Sequence, residues 1–250
     1  MAATSTRTDQ PNADPDMERE LRVQLAAAYR LAEKFGMSEL TATHISLRVP
    51  GPTPTFLFNQ NGLLFDEITA SNLVRIDLYG TPVNGDKVVS LNRAGVNIHG
   101  AILEARPDVN CVLHTHNVYS IAVASTEAGL LPLSQSAMRF TGQVAYHDYG
   151  RAATDQTERS RLQEDLGDKW VMLLRNHGIL TTGKTVGDAF ISAFHLEKAC
   201  QAQAFAQAMG QPLVLPVEQT AADATAPGRG GAAWQALLRR LDREDPSYRD

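Results

Sequence analysis

Three histidines offer the most direct chemistry in the chain: His114 and His116 in Leu113-His114-Thr115-His116, and His177 in Arg175-Asn176-His177-Gly178. Residues two apart on a strand point to the same face, so His114 and His116 can present two imidazoles to one ion. A third imidazole at the end of another short apolar run can complete the set. Imidazole suits zinc, iron and copper, and three histidines with open positions make a catalytic site rather than a closed structural one. An isolated His-x-His is also a common packing or surface pattern, so spacing alone leaves both readings open.

Other residues could take part. His99 lies on an expected helix, as a base or as a helix residue bonded to backbone. His147 could reach a neighbouring site, although a structural role is the simpler reading. His195 and Glu197 are two apart on a helix and do not share a face. Cys111 sits among apolar neighbours as an inert thiol. Asp66 and Glu67 read as helix N-terminal charges, and nothing in the sequence establishes a role for Tyr248.

These side chains need elements to hold them. Helical periodicity runs over residues 17–35, with Leu21, Leu25, Ala28 and Leu31 on one stripe and Gly36 as its stop. Strands are expected at 44–49, 55–58, 74–78, 111–114, 143–146, 170–174 and 179–182. Pro50-Gly51 and the 60–62 segment are turns. A short helix is expected at 69–73, and a hairpin over 77–85 with a return strand at 87–90. Longer helices follow at 95–105, 118–124, 155–166, 186–209 and 234–242. Strands mixed with helices, several joined by hairpins, argue an α/β sandwich with a mixed or antiparallel sheet. The expected division is a disordered leader (1–16), a main domain (17–210), a flexible connector (211–231) and a C-terminal helix and tail (232–250).

The 250 residues are 43% hydrophobic and 20% charged, an ordinary globular composition with a formal net charge of -5. The pI near 5.8 implies no basic face, so nucleic acid is not an expected partner. Apolar runs fall far short of a membrane span. The first residues lack the apolar core of a signal peptide. Two cysteines in unrelated contexts suit a reducing cytoplasm.

The stretch from about residue 21 to 203 resembles the class II aldolase/adducin family. The segments that carry the likeness are ATHISLRVPG (42–51), NQNGLLFDEITASNLVRID (59–77), ILEARPDVNCVLHTH (102–116), LLRNHGILTTGKTVGDAF (173–190) and LEKACQAQ (196–203). The resemblance implies a three-layer α/β/α sandwich with a mixed, largely antiparallel central sheet. It implies metal ligation by His114, His116 and His177, with zinc as the first expectation and iron(II) as the alternative. It also implies a homotetramer with the active site at a subunit interface.

Departures from the pattern bear on the chemistry. The sugar-phosphate aldolases of the family open the helix before ARPD with a glutamate that acts as general acid/base; here that position is Gly95. Their phosphate-binding pairs correspond to Thr43-His44, Asn61-Gly62 and Arg93-Ala94, of which only Gly62 is kept. With the carboxylate gone, a proton must move through a metal-bound hydroxide, His99, His44 or Tyr146. Three neutral ligands leave the charge of a divalent ion uncompensated and favour an anionic guest, which the resemblance implies His44, Asn61, Gly62 and Arg93 could help to hold. The first expectation is a carbon–carbon lyase or decarboxylase that acts on a small oxo- or hydroxy-acid through a metal-stabilised enolate. The alternatives are a non-heme iron oxygenase, like the aminocoumarin-pathway members that oxidatively decarboxylate a 2-oxo acid, and a non-catalytic assembly module like the adducin head.

Overall fold

A computed structural model describes residues 14–83, 85, 87, 89–150, 156–224 and 230–250. Helix α1 (Pro15–Lys34) opens with Asp14, whose side chain accepts the Asp16 N–H, and with proline in its first turn. Then come β1 (His44–Val49), β2 (Thr55–Phe58), a 3-10 turn (Phe65–Glu67), β3 (Val74–Asp77), α2 (Arg93–Ala105), β4 (Cys111–Thr115) and α3 (Val118–Ala124). The second half adds α4 (Gln135–Met138), β5 (Val144–His147), α5 (Gln156–Leu166), β6 (Val171–Leu174), β7 (Gly178–Gly183), α6 (Val186–Met209), α7 (Val217–Thr220) and α8 (Gly231–Glu244).

The seven strands form one sheet in the order β3-β2-β1-β4-β7-β6-β5. Every neighbouring pair is antiparallel except β5 with β6. The sheet is thus mixed and largely antiparallel, as expected. Strand alternation sends Ile45, Leu47, Leu57, Leu113, Leu173 and Ile179 to one face, where they pack with α1, α6 and α8. Phe56, Phe58, Val112, Met172, Leu174 and Leu180 go to the other, under α2 and α5. Helices therefore cover both faces, and the chain is an α/β/α sandwich. Helix α8 joins the first core through Trp234, Leu238 and Leu241, and the Trp234 indole N–H donates to Gln24.

Two local expectations differ from the structure. Residues 69–73 form a turn rather than a helix. The C-terminal tail takes their backbone donors, Ala70 N–H bonding to Tyr248 O and Ser71 N–H to Asp250 O. The Asn72 side chain accepts from Thr69 N–H and donates to Glu67 O, which offers the backbone a non-helical solution. The return strand at 87–90 is also absent among the described residues, residue 88 lying outside them. Among the described residues the hairpin closes through the Ile76–Pro82 bridge, with Asp77 N–H bonding to Thr81 O and Val83 N–H to Arg75 O. The segment at 1–13 lies outside the described residues, as does 225–229 in the expected connector, whose described part includes α7.

Candidate metal centre

Strand β4 lies between β1 and β7, with His114 opposite His44 on one side and Leu180 on the other. Its register puts His114 on the α2/α5 face, and His116 follows two residues on. The connection between β6 and β7 is three residues long. Asn176 takes φ 58 there, a left-handed conformation that asparagine tolerates, and the chain turns so that His177 faces β4. Gly178 makes the approach possible, since a Cβ on it would lie 2.4 Å from the Thr115 carbonyl oxygen.

The three imidazoles meet. Nε2 of His116 is 2.9 Å from Nε2 of His114 and 3.0 Å from Nε2 of His177. The back of each of two rings fixes its protons. His114 Nδ1 is 2.8 Å from Ile179 O, and His116 Nδ1 is 2.5 Å from Glu39 Oε2. A carbonyl or carboxylate oxygen can only accept, so both Nδ1 atoms carry hydrogen, and in the neutral ring each Nε2 presents a lone pair. Burial pushes His114 well below its ordinary 6.5, helped by the neighbouring histidines. Burial likewise lowers His177, to about 4. Converging neutral nitrogen donors with fixed outer partners suit a divalent ion of the zinc or iron class.

The triad forms one wall of a cavity of about 320 Å³. Ala42 and His44 continue that wall, Asn92 and Ala94 enter from the start of α2, and His147, Tyr149 and Glu158 stand on another side. His147 bridges two carboxylates, with Nε2 2.8 Å from Glu158 Oε1 and Nδ1 2.7 Å from Asp165 Oδ2.

The Gly95 position explains itself sterically. A Cβ built there would lie 2.6 Å from both Nε2 and Cδ2 of His44 and 2.9 Å from Cζ of Phe58. The His44 ring thus fills the space that a side chain at 95 would enter. Its Nδ1 is 2.8 Å from His99 Nε2, and His99 Nδ1 is 2.6 Å from Ser46 Oγ. Burial drives both rings well below their ordinary pKa, and each is further lowered by another histidine, His44 by His99 and His99 by His114.

The structure brings six of the named histidines together: His114, His116, His177, His44 and His147 in the cavity wall, and His99 directly behind His44. It does not bring Tyr146 there; its hydroxyl accepts the Leu130 N–H, and the Arg175 guanidinium covers its ring at 4.4 Å. Asn61, Gly62 and Arg93 are exposed and do not line the cavity, although Arg93 lies between Asn92 and Ala94, which do. Sequence reasoning passed over Glu39 and Glu158. Glu39 sits in a polar loop, with nothing nearby to mark it. Glu158 belongs to a charged run that reads as a solvated helix face.

A family model described as the class II aldolase and adducin N-terminal domain matches residues 23–204. A Pseudomonas aeruginosa protein that carries the name "Putative aldolase class 2 protein" is 44% identical over 242 residues, 93% of each chain. Rat alpha-adducin is 43% identical over 188 residues, 74% of this chain and 25% of its own length. Among solved structures, an aldolase II superfamily protein from Pseudomonas syringae superposes with a TM-score of 0.89 at 47% identity, covering 95% of this chain and 98% of its own. L-fuculose 1-phosphate aldolase from Glaciozyma antarctica PI12 gives 0.85 at 28% identity, with both chains covered fully.

Proposed function

The chain belongs to the class II aldolase and adducin family, and from that premise we propose that it is a divalent-metal-dependent carbon–carbon lyase or decarboxylase for a small oxo- or hydroxy-acid. The observation that carries this reading is the convergence of the His114, His116 and His177 Nε2 atoms on one wall of a cavity of about 320 Å³, a volume suited to a small molecule. These three residues would hold the ion, zinc first and iron(II) second. When bound, the ion supplies Lewis acidity to an oxygen of the substrate.

The remaining roles fall to the protein. Three neutral ligands do not offset a divalent charge, so the cavity favours an anionic guest. Arg93, exposed between two lining residues, is the candidate for a second anionic group. Asn61 and Gly62 lie apart from the cavity in a single chain and would act only through a neighbouring copy, in the homotetramer we expect. His44 takes the place of the absent glutamate, with Nδ1 tied to His99 and Nε2 as the nitrogen left for substrate. Because burial disfavours the charged form of both rings, the pair works by tautomer. If Ser46 donates to His99, His99 donates to His44 and His44 Nε2 carries a hydrogen that can bond to a substrate oxygen. If Ser46 accepts, both bonds reverse and Nε2 is bare and can accept a hydrogen bond. Tyr146, committed to Leu130, takes no part in this scheme. The two free cysteines support a cytoplasmic location.

The test is elemental analysis of protein purified without added metal, with activity screened on small oxo- and hydroxy-acids. Near-stoichiometric zinc and oxygen-independent turnover support the lyase. Iron with substrate-dependent oxygen consumption selects the oxygenase instead. No transition metal and no uptake on reconstitution refute the metalloenzyme. The last outcome would favour an assembly module, the reading that 43% identity to alpha-adducin keeps in view. His116→Ala should abolish metal binding and leave a folded chain.

A further inference from the structure

The loop from α1 to β1 carries a carboxylate to the back of the triad. Glu39 Oε2 lies 2.5 Å from Nδ1 of His116. The backbone takes an uncommon path to put it there. Gly36 turns at φ 65, and Leu40, the next residue after Glu39, is held at φ 48 while its side chain is 77% exposed. A left-handed conformation is disfavoured for a residue with a Cβ, and here no burial of the Leu40 side chain compensates it. The turn closes through the Ala42 N–H, which donates to Glu39 O, and Ala42 itself lines the cavity.

The opposite side of His116 is fixed as well, since a Cβ on Gly178 would stand 3.0 Å from its Cδ2. The ring is therefore held between a glycine and a carboxylate. His114 differs, because its Nδ1 donates to the uncharged carbonyl of Ile179. We propose that Glu39 is a positioning residue that sets the affinity of this centre for a divalent ion. It holds the proton on His116 Nδ1, aims Nε2 at the point shared with His114 and His177, and places a negative charge next to a ligand set that has none. The inference rests on the ligand assignment made above. A carboxylate behind a ligating imidazole makes that nitrogen a better donor.

The Glu39 side chain is 56% exposed and that of His116 15%, so neither partner is fully buried. The experiment is zinc titration of the full-length wild type, Glu39→Gln and Glu39→Ala against a chromophoric chelator, together with the thermal midpoint of each metal-free protein. Zinc affinity should fall roughly 10- to 100-fold in both variants, the usual consequence of losing such a partner, while the metal-free midpoints stay together. Equal affinity in all three proteins overturns the proposal. A loss matched by an equal fall in the metal-free midpoint also overturns it, since Glu39 would then support the loop rather than the ligand. A wild type that takes up no zinc refutes the ligand assignment itself, and this proposal falls with it.

Discussion

Gly95→Ala should destabilise the protein, and the same change should cost less once His44 is removed. The new methyl would arrive 2.6 Å from two atoms of the His44 ring and 2.9 Å from Phe58 Cζ. The ring has little room to retreat. Its Nδ1 is tied to His99, and the Phe58 and His114 rings stand at centroid distances of 5.6 and 5.0 Å. Forcing one carbon into such a site costs about 1–3 kcal/mol. Exchanging a helical glycine for alanine returns up to about 1 kcal/mol, less in a first turn such as this one. The net expectation is a loss of about 1–2 kcal/mol, or roughly 2–8 °C in midpoint for a chain of this size. In the His44→Ala background the two closest contacts are gone, and the Phe58 ring, 2.9 Å from the new methyl, can shift into the space the imidazole leaves, so the loss should shrink. Urea unfolding of the four metal-free proteins of the cycle measures the coupling directly. If Gly95→Ala has the same effect in both backgrounds, His44 does not fill the space at 95 and the proposed exchange is wrong.

Acid should weaken the metal-free protein before its carboxylates titrate. His177 is held near 4, and His44, His99 and His114 lie well below 6.5. Between pH 6.5 and 5 the unfolded chain therefore binds protons that the folded chain does not, so stability falls as pH falls. A urea midpoint that stays flat across that window contradicts the burial of these rings. Gly178→Ala should cost about 1–3 kcal/mol and abolish cobalt binding, because the atom it meets at 2.4 Å is backbone and cannot swing aside; unfolding and a cobalt absorption titration check the two effects separately. His147→Phe removes the donor between Glu158 and Asp165 and should cost about 1–3 kcal/mol. Urea unfolding reads this, and a loss under about 0.5 kcal/mol would mean that the bridge is not a structural clamp.

The elements that place the triad were legible because they are strongly patterned. β4 is a short apolar strand that ends in two histidines with strand spacing, and His177 sits beside a glycine at the end of another such strand. Helices α1 and α6 carry long apolar stripes. Local pattern failed where a distant segment supplied the decisive partner. The 69–73 stretch has helix-compatible residues, but Tyr248 and Asp250 accept its backbone donors from the far end of the chain. Glu39 meets His116 across 77 positions, and its loop is written in residues that would suit any exposed turn. Glu158 looked solvated because its helix is charged, yet it is 9% exposed beside His147. The sequence also showed that position 95 lacks a carboxylate. It could not show what had taken the space, because His44 and Gly95 meet only when α2 lies across β1.

That exchange constrains the chemistry more than the loss of a glutamate does. A carboxylate at 95 would bring a negative charge beside the ligands and partly offset a divalent ion. The His44–His99 pair brings none, since burial holds both rings toward neutrality. Glu39 lies behind His116, and Glu158 is engaged by His147 and Arg161. The cavity around a bound ion would therefore carry excess positive charge on its reactive side, a demand that an anionic substrate meets and a neutral one does not. A neutral imidazole pair can still donate or accept a hydrogen bond at the reacting oxygen, according to its tautomer, without adding charge to the site. Lysis or decarboxylation of an acid suits that combination: an electrophilic anchor for the carboxylate or oxo group, and a neutral hydrogen-bonding partner that does not compete with the substrate for the ion.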